Sequence, residues 1–183
     1  MVRASRLPAI ASFALQGRID RRGVDPLALL ANTRPLEVDE PMLPFGEQPS
    51  FGDALHVGID QAFALQGAQL TLHIGLANAP GATPAGVTAA LASGDLALVW
   101  EFWDGRTWTA IKPSTDTCDR LTKSGGIAFT LPVAPATRAL AGVTACWLRV
   151  RIAAGDYGKT GRFTLVTKDG NHKPICGNRY SRT

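Results

Sequence analysis

Leu98-Val99-Trp100-Glu101-Phe102-Trp103-Asp104-Gly105-Arg106-Thr107-Trp108-Thr109-Ala110-Ile111 is the stretch on which the fold turns. Aromatic and apolar residues fill its first half, and an Asp-Gly pair that tolerates positive φ separates it from the second. The pattern predicts a hairpin, with residues 96–103 running out, Asp104-Gly105 as the tight turn and residues 106–111 returning. Period-two alternation puts Trp100 and Phe102 on one face and Trp103 on the other.

The same period recurs outward from the hairpin. Leu70, Leu72, Ile74 and Leu76 alternate with Gln69, Thr71, His73 and Gly75, as expected for a strand with one buried and one wet face. Residues 126–131 place Ile127, Phe129 and Leu131 in phase. In residues 145–152, Cys146, Leu148, Val150 and Ile152 oppose Ala145, Trp147, Arg149 and Arg151. Residues 162–167 read as a last strand. Residues 78–94 read as a long loop, residues 112–123 as a polar connection, and residues 132–142 as a connection holding at most a helical turn. Six or seven short strands without long helices predict an all-β antiparallel sandwich, with jelly-roll-like and immunoglobulin-like connectivities both open. The expected organisation is an arm over residues 1–50, a sandwich over 51–168 and a basic tail over 169–183. Within the arm, residues 24–31 read as a helical turn or two, with Asp25 as cap and Pro26 at the first helical position. Residues 34–51 carry Pro35, Pro41, Pro44 and Pro49, which exclude a helix.

The chain has 183 residues, of which 45% are hydrophobic and 19% charged, a globular composition. Its net charge of +4 is uneven. Residues 1–22 hold five arginines against Asp20, and residues 159–183 hold six Lys or Arg against Asp169. The body between them is acidic, so the basic groups are not gathered into a nucleic-acid-binding face. No apolar run reaches the roughly 20 residues needed to span a bilayer, and residues 1–15 do not read as a secretory leader. Cys118, Cys146 and Cys176 form no CxxC pair, and His56, His73 and His172 are scattered, so no metal site is expected. The thiols read as reduced.

Catalytic patterns are missing. There is no G-x-S-x-G elbow, no phosphate-binding loop, no dinucleotide fingerprint, and no cofactor is implied. Glu101 has no second carboxylate on a neighbouring strand for glycoside hydrolysis. It reads instead as a wet-face acid paired with a cross-strand cation or hydroxyl. Asp116 and Asp119, with Thr115 and Thr117, could offer oxygens to calcium but read better as caps on their own turn. The distinctive chemistry is aromatic. Trp103, Trp108 and Trp147, with Arg149 and Arg151 on the face of Trp147, form a candidate protein interface, or alternatively a platform for stacking on a surface glycan.

Five segments, in order, carry a family resemblance. They are Leu43-Pro44-Phe45-Gly46-Glu47-Gln48-Pro49 with Phe51-Gly52-Asp53-Ala54-Leu55-His56-Val57-Gly58; Ala62-Phe63 with Gly67-Ala68-Gln69-Leu70-Thr71-Leu72; Leu98 to Trp108; Leu121-Thr122-Lys123-Ser124-Gly125-Gly126-Ile127-Ala128-Phe129 with Leu131-Pro132; and Trp147-Leu148-Arg149-Val150-Arg151-Ile152 with Gly155-Asp156-Tyr157. Together, over about residues 32–158, the set resembles large baseplate assembly proteins related to the J-type wedge proteins of contractile phage tails and phage-tail-like extracellular injection systems. His56 stands where that family usually has an aromatic, and Cys146 where it usually has Tyr. Family members are much longer, so the resemblance implies one domain of such a protein. It further implies a structural role without bond chemistry, and wedge, hub or sheath-proximal proteins as partners. The expected location is a virion or extracellular tail-like particle, after synthesis in a bacterial cytoplasm.

Overall fold

The computed structural model describes residues 24–37, 42–46, 48–76 and 92–157, and the backbone of two further strands at 160–168 and 174–182. Strands β1 (Ala28–Ala31), β2 (Arg34–Leu36), β3 (Ala54–Ile59), β5 (Ala97–Trp103), β6 (Trp108–Ala110), β9 (Thr137–Leu140) and β10 (Val143–Ala154) form one sheet. Its order is β2-β1-β3-β10-β5-β6, with β9 also on β10. Strands β4 (Gln69–Ile74), β7 (Thr115–Asp116) and β8 (Gly125–Thr130) form a second sheet, ordered β4-β8-β7. Strands β11 (Thr160–Lys168) and β12 (Pro174–Arg182) pair with each other. Every pairing is antiparallel. The only helical element among the described residues is a 3-10 turn at Gln61–Phe63, capped by the Asp60 carboxylate on the Ala62 N–H.

The two larger sheets pack face to face as the expected antiparallel β-sandwich. Val57, Trp100, Phe102, Leu148, Val150 and Ile152 come from one side and Ile127 and Phe129 from the other. Trp100 meets Phe129 edge to face with 5.1 Å between ring centroids. The alternation read from sequence holds here. Cys146, Leu148, Val150 and Ile152 are all buried, and β4 exposes Gln69, Thr71 and His73 while Leu70, Leu72 and Ile74 lean on the core.

Four expectations are corrected. Residues 24–31 do not form a helical turn. Ala28–Ala31 is a strand inside the main sheet, pairing with β3, with the Leu27 N–H donating to the Gly58 carbonyl at 2.9 Å. A two-turn helix is too short to offset its nucleation cost, whereas a strand gains ladder bonds and buries Leu29 and Leu30 on opposite faces. The sheet therefore begins inside the segment assigned to the arm, and Pro35 sits in the edge strand β2, where the missing N–H faces no ladder partner.

The Asp-Gly turn is wider than expected. Trp103 pairs with Trp108, so the loop has four residues and Arg106 is not in the return strand. Asp104 governs it, because its carboxylate accepts the Arg106 and Thr107 N–H groups, each at 2.8 Å, and the Thr109 hydroxyl at 2.7 Å. Those bonds hold the carboxyl below its usual pKa. Residues 137–140 are a strand, returned by a two-residue turn at Ala141-Gly142 with φ of 48° and 83°. The expected tail contains β12. The expected loop at 78–94 lies mostly outside the described residues, as do residues 1–22.

Candidate functional site

The outer face of the large sheet, turned away from the sandwich interior, gathers the residues singled out from sequence. Register does this. Leu30 pairs with His56, His56 with Arg149, and Arg149 with Glu101, making one continuous row across β1, β3, β10 and β5. In the next row Ala28 pairs with Gly58, Gly58 with Trp147, and Trp103 with Trp108. Leu30, Ala145 and Trp147 form a second small core there, flanked by Trp103, Trp108, Leu140 and Val143.

Glu101 is not on a wet face. It is 7% exposed, and its two oxygens take Arg149 Nε at 2.6 Å and Arg151 Nη2 at 3.4 Å. The cross-strand pairing read from sequence is thus present, inside a largely dehydrated face. Arg149 also lies 4.2 Å over the Trp108 ring, and Arg138 lies 4.1 Å over Trp103. The two tryptophans meet edge to face at 5.7 Å, and His56 is tilted against Trp108 at 5.4 Å. His56 is buried, with Nδ1 lacking a hydrogen-bond partner. Desolvation, then the Arg149 charge, lowers its pKa to about 4, so the ring is neutral at pH 7.

Trp147 is corrected as an interface residue. It is fully buried, its indole N–H donates to the Arg138 carbonyl at 2.7 Å, and the arginines stack on the other two tryptophans rather than on it. Trp103 and Trp108 are half-buried, each with a guanidinium on one ring face. A sugar-stacking platform needs an open ring face, so these faces do not serve it.

Arg138 was not singled out from sequence. Nothing local marks it, because its position over Trp103 depends on β9 turning back along β10. Beside it is a pocket of about 240 Å³, lined by Leu30, His56, Trp108, Arg138 and Leu140, with Asn32, Thr33 and Ala141.

The Asp/Thr turn caps itself, as read. Asp116 accepts the Cys118 N–H at 2.8 Å, and Asp119 binds Lys123 at 3.0 Å and Arg120 at 3.5 Å. These partners lower the Asp119 pKa, the Lys123 hydrogen bond foremost. Asp119, Arg120 and Leu121 run consecutively at φ of 46°, 55° and 58°. That left-handed turn aims the Arg120 carbonyl at the Tyr157 hydroxyl, 2.7 Å away. Burial raises the Tyr157 pKa, so the phenol stays a donor. No cluster of three or more His, Cys, Asp or Glu side chains that could hold a metal occurs among the described residues. Cys118 and Cys146 are buried free thiols whose pKa values burial raises. No helix among the described residues is long and apolar enough to cross a membrane.

The five segments quoted from sequence touch one another. Phe45 stacks on Tyr157 at 5.6 Å, Tyr157 bonds to the residue before Leu121, and Trp100 packs on Phe129. Glu101 joins Arg149 and Arg151, His56 lies on Trp108, and the Gly67 N–H donates to the Leu131 carbonyl at 2.8 Å. Gly155 has φ of 65° and lies so close to the Leu96 backbone that a Cβ would collide with it. Compared with protein-family models, with curated proteins and with solved structures, the chain matches none.

Proposed function

We propose that the chain is a non-enzymatic interaction domain of a contractile phage-tail or injection-system baseplate, making protein–protein contacts in the wedge. The observation that carries this reading is the mutual contact of the five motif segments. Side chains that bear the resemblance to baseplate proteins serve as the domain's internal joints: Phe45 on Tyr157, Trp100 on Phe129, Glu101 with two arginines. Such residues build a rigid element to be mounted in an assembly. The one buried carboxylate among the described residues, Glu101, has both oxygens engaged by guanidinium groups, as a structural joint would. Large apolar side chains stay in water at Leu27, Leu43, Phe51 and Leu65, and in an assembly they are candidates for burial against neighbours.

The test is deletion of the coding region for residues 24–157 in the producing bacterium, followed by electron microscopy of purified particles. The expected result is loss of assembled, sheathed particles while sheath and tube proteins are still made. Normal numbers of contractile particles would overturn the reading. A positive glycan array with the purified chain, lost on Trp108→Ala, would instead assign it to carbohydrate binding.

A further inference from the structure

The walls of the outer-face pocket do not balance in charge. Arg149 and Arg151 share Glu101, and Arg120 and Lys123 share Asp119. Arg138 is held over Trp103 at 4.1 Å and has no carboxylate partner among the described residues. Its neighbours in the pocket are the apolar Leu30, Trp108 and Leu140 on one side and Asn32, Thr33 and His56 on the other. His56, on the pocket wall, is nine-tenths buried with an unpartnered Nδ1, and Arg149 and Arg138 contribute positive charge there against a smaller opposing effect of Glu101. This is a locally cationic spot on a body that is otherwise acidic over residues 23–158.

We infer that the pocket between β9 and the β1–β3 face receives the carboxylate of a Glu or Asp side chain from a neighbouring polypeptide, with Arg138 as its ligand. This rests on the interaction role proposed above and names the chemistry of one contact. A half-buried guanidinium binds a carboxylate more strongly than a fully solvated one does, and its fork can take both oxygens. Stacking on Trp103 keeps Arg138 pre-organised, so little side-chain entropy is lost on binding. The pocket, at about 240 Å³, suits one side chain and is below the usual range for a cofactor or drug-sized ligand. The apolar part of its wall, Leu30, Trp108 and Leu140, favours a carboxylate flanked by aliphatic residues over a free inorganic anion, which would keep its hydration shell outside. Asn32 and Thr33 also line the pocket, beside the apolar residues.

The probe is the capped tripeptide acetyl-Leu-Glu-Leu-amide, with acetyl-Leu-Gln-Leu-amide as control, titrated into the full 183-residue chain. Tryptophan fluorescence reports binding because Trp108 lines the pocket. The Glu peptide is expected to bind about tenfold or more tightly than the Gln peptide, the size of one charge-assisted hydrogen bond. That preference is expected to vanish in Arg138→Gln. Equal binding of the two peptides, binding of neither, or a preference that survives Arg138→Gln overturns the assignment. The wild-type Glu/Gln ratio decides the matter even if the variant misfolds. Loss of particles on deletion together with equal peptide affinities would leave the baseplate role standing and remove this site. Intact particles with a clear Glu preference would do the reverse.

Discussion

The inner and outer faces of the large sheet bury large side chains by different means. Inside, Phe102, Leu148, Val150 and Ile152 meet the second sheet, and the contact is apolar throughout. Outside, no second sheet covers the face among the described residues. Burial there depends on Trp147 lying over Gly58, on arginines stacked over Trp103 and Trp108, and on Glu101 neutralising two cations. A sheet face can thus be dehydrated without a partner layer when planar cations and indoles tile it. The inner face tolerates only volume-matched changes, whereas the outer face is also sensitive to charge and pH.

Phe102→Ala and Trp147→Ala challenge that comparison most directly. Each should cost about 3–5 kcal/mol in denaturant unfolding, the usual penalty for removing a buried aromatic. A cost under about 1 kcal/mol for Trp147→Ala would mean that the outer cluster is surface rather than core. Glu101→Leu comes next, at about 3 kcal/mol, because it strands two half-buried arginines. The double change Glu101→Leu with Arg149→Met should recover much of that loss, and a double variant as unstable as the single one would show that the ion pair is not the cause.

Acid sharpens the contrast further. Between about pH 6.5 and 4, the unfolded chain binds a proton at His56 that the folded chain does not. Stability should therefore fall as pH drops through that window, by up to about 3 kcal/mol, and this contribution should level off below it. His56→Phe should remove that portion of the slope, and an unchanged slope would place the acid sensitivity elsewhere. The smallest effect is expected from Gly58→Ala. Its new Cβ would meet Trp147 Cζ3 at 3.2 Å and the Ala28 backbone at 3.3 Å, costing about 1–2 kcal/mol. A neutral result would mean that Trp147 can shift without loss.

The residues themselves determined the sandwich class, the strands β4, β5, β8 and β10, and which side chains of those strands point inward. Alternation is a local property, and any sheet that buries one face must respect it. They also pointed to a cross-strand partner for Glu101, a cation or a hydroxyl, and made the Asp/Thr turn cap itself, since those partners lie on facing strands or within a few residues. Tertiary structure alone decided that Ala28–Ala31 is a strand, because β3 supplies the ladder bonds that the short segment cannot make by itself. It likewise decided the four-residue loop at Asp104, where three bonds to one carboxylate outweigh the tight-turn preference of Asp-Gly. Burial of Trp147, and the placing of Arg138 over Trp103, depend on β9 folding back along β10. Such coverage joins residues that no period in the sequence links, so it becomes visible only when the strands are assembled.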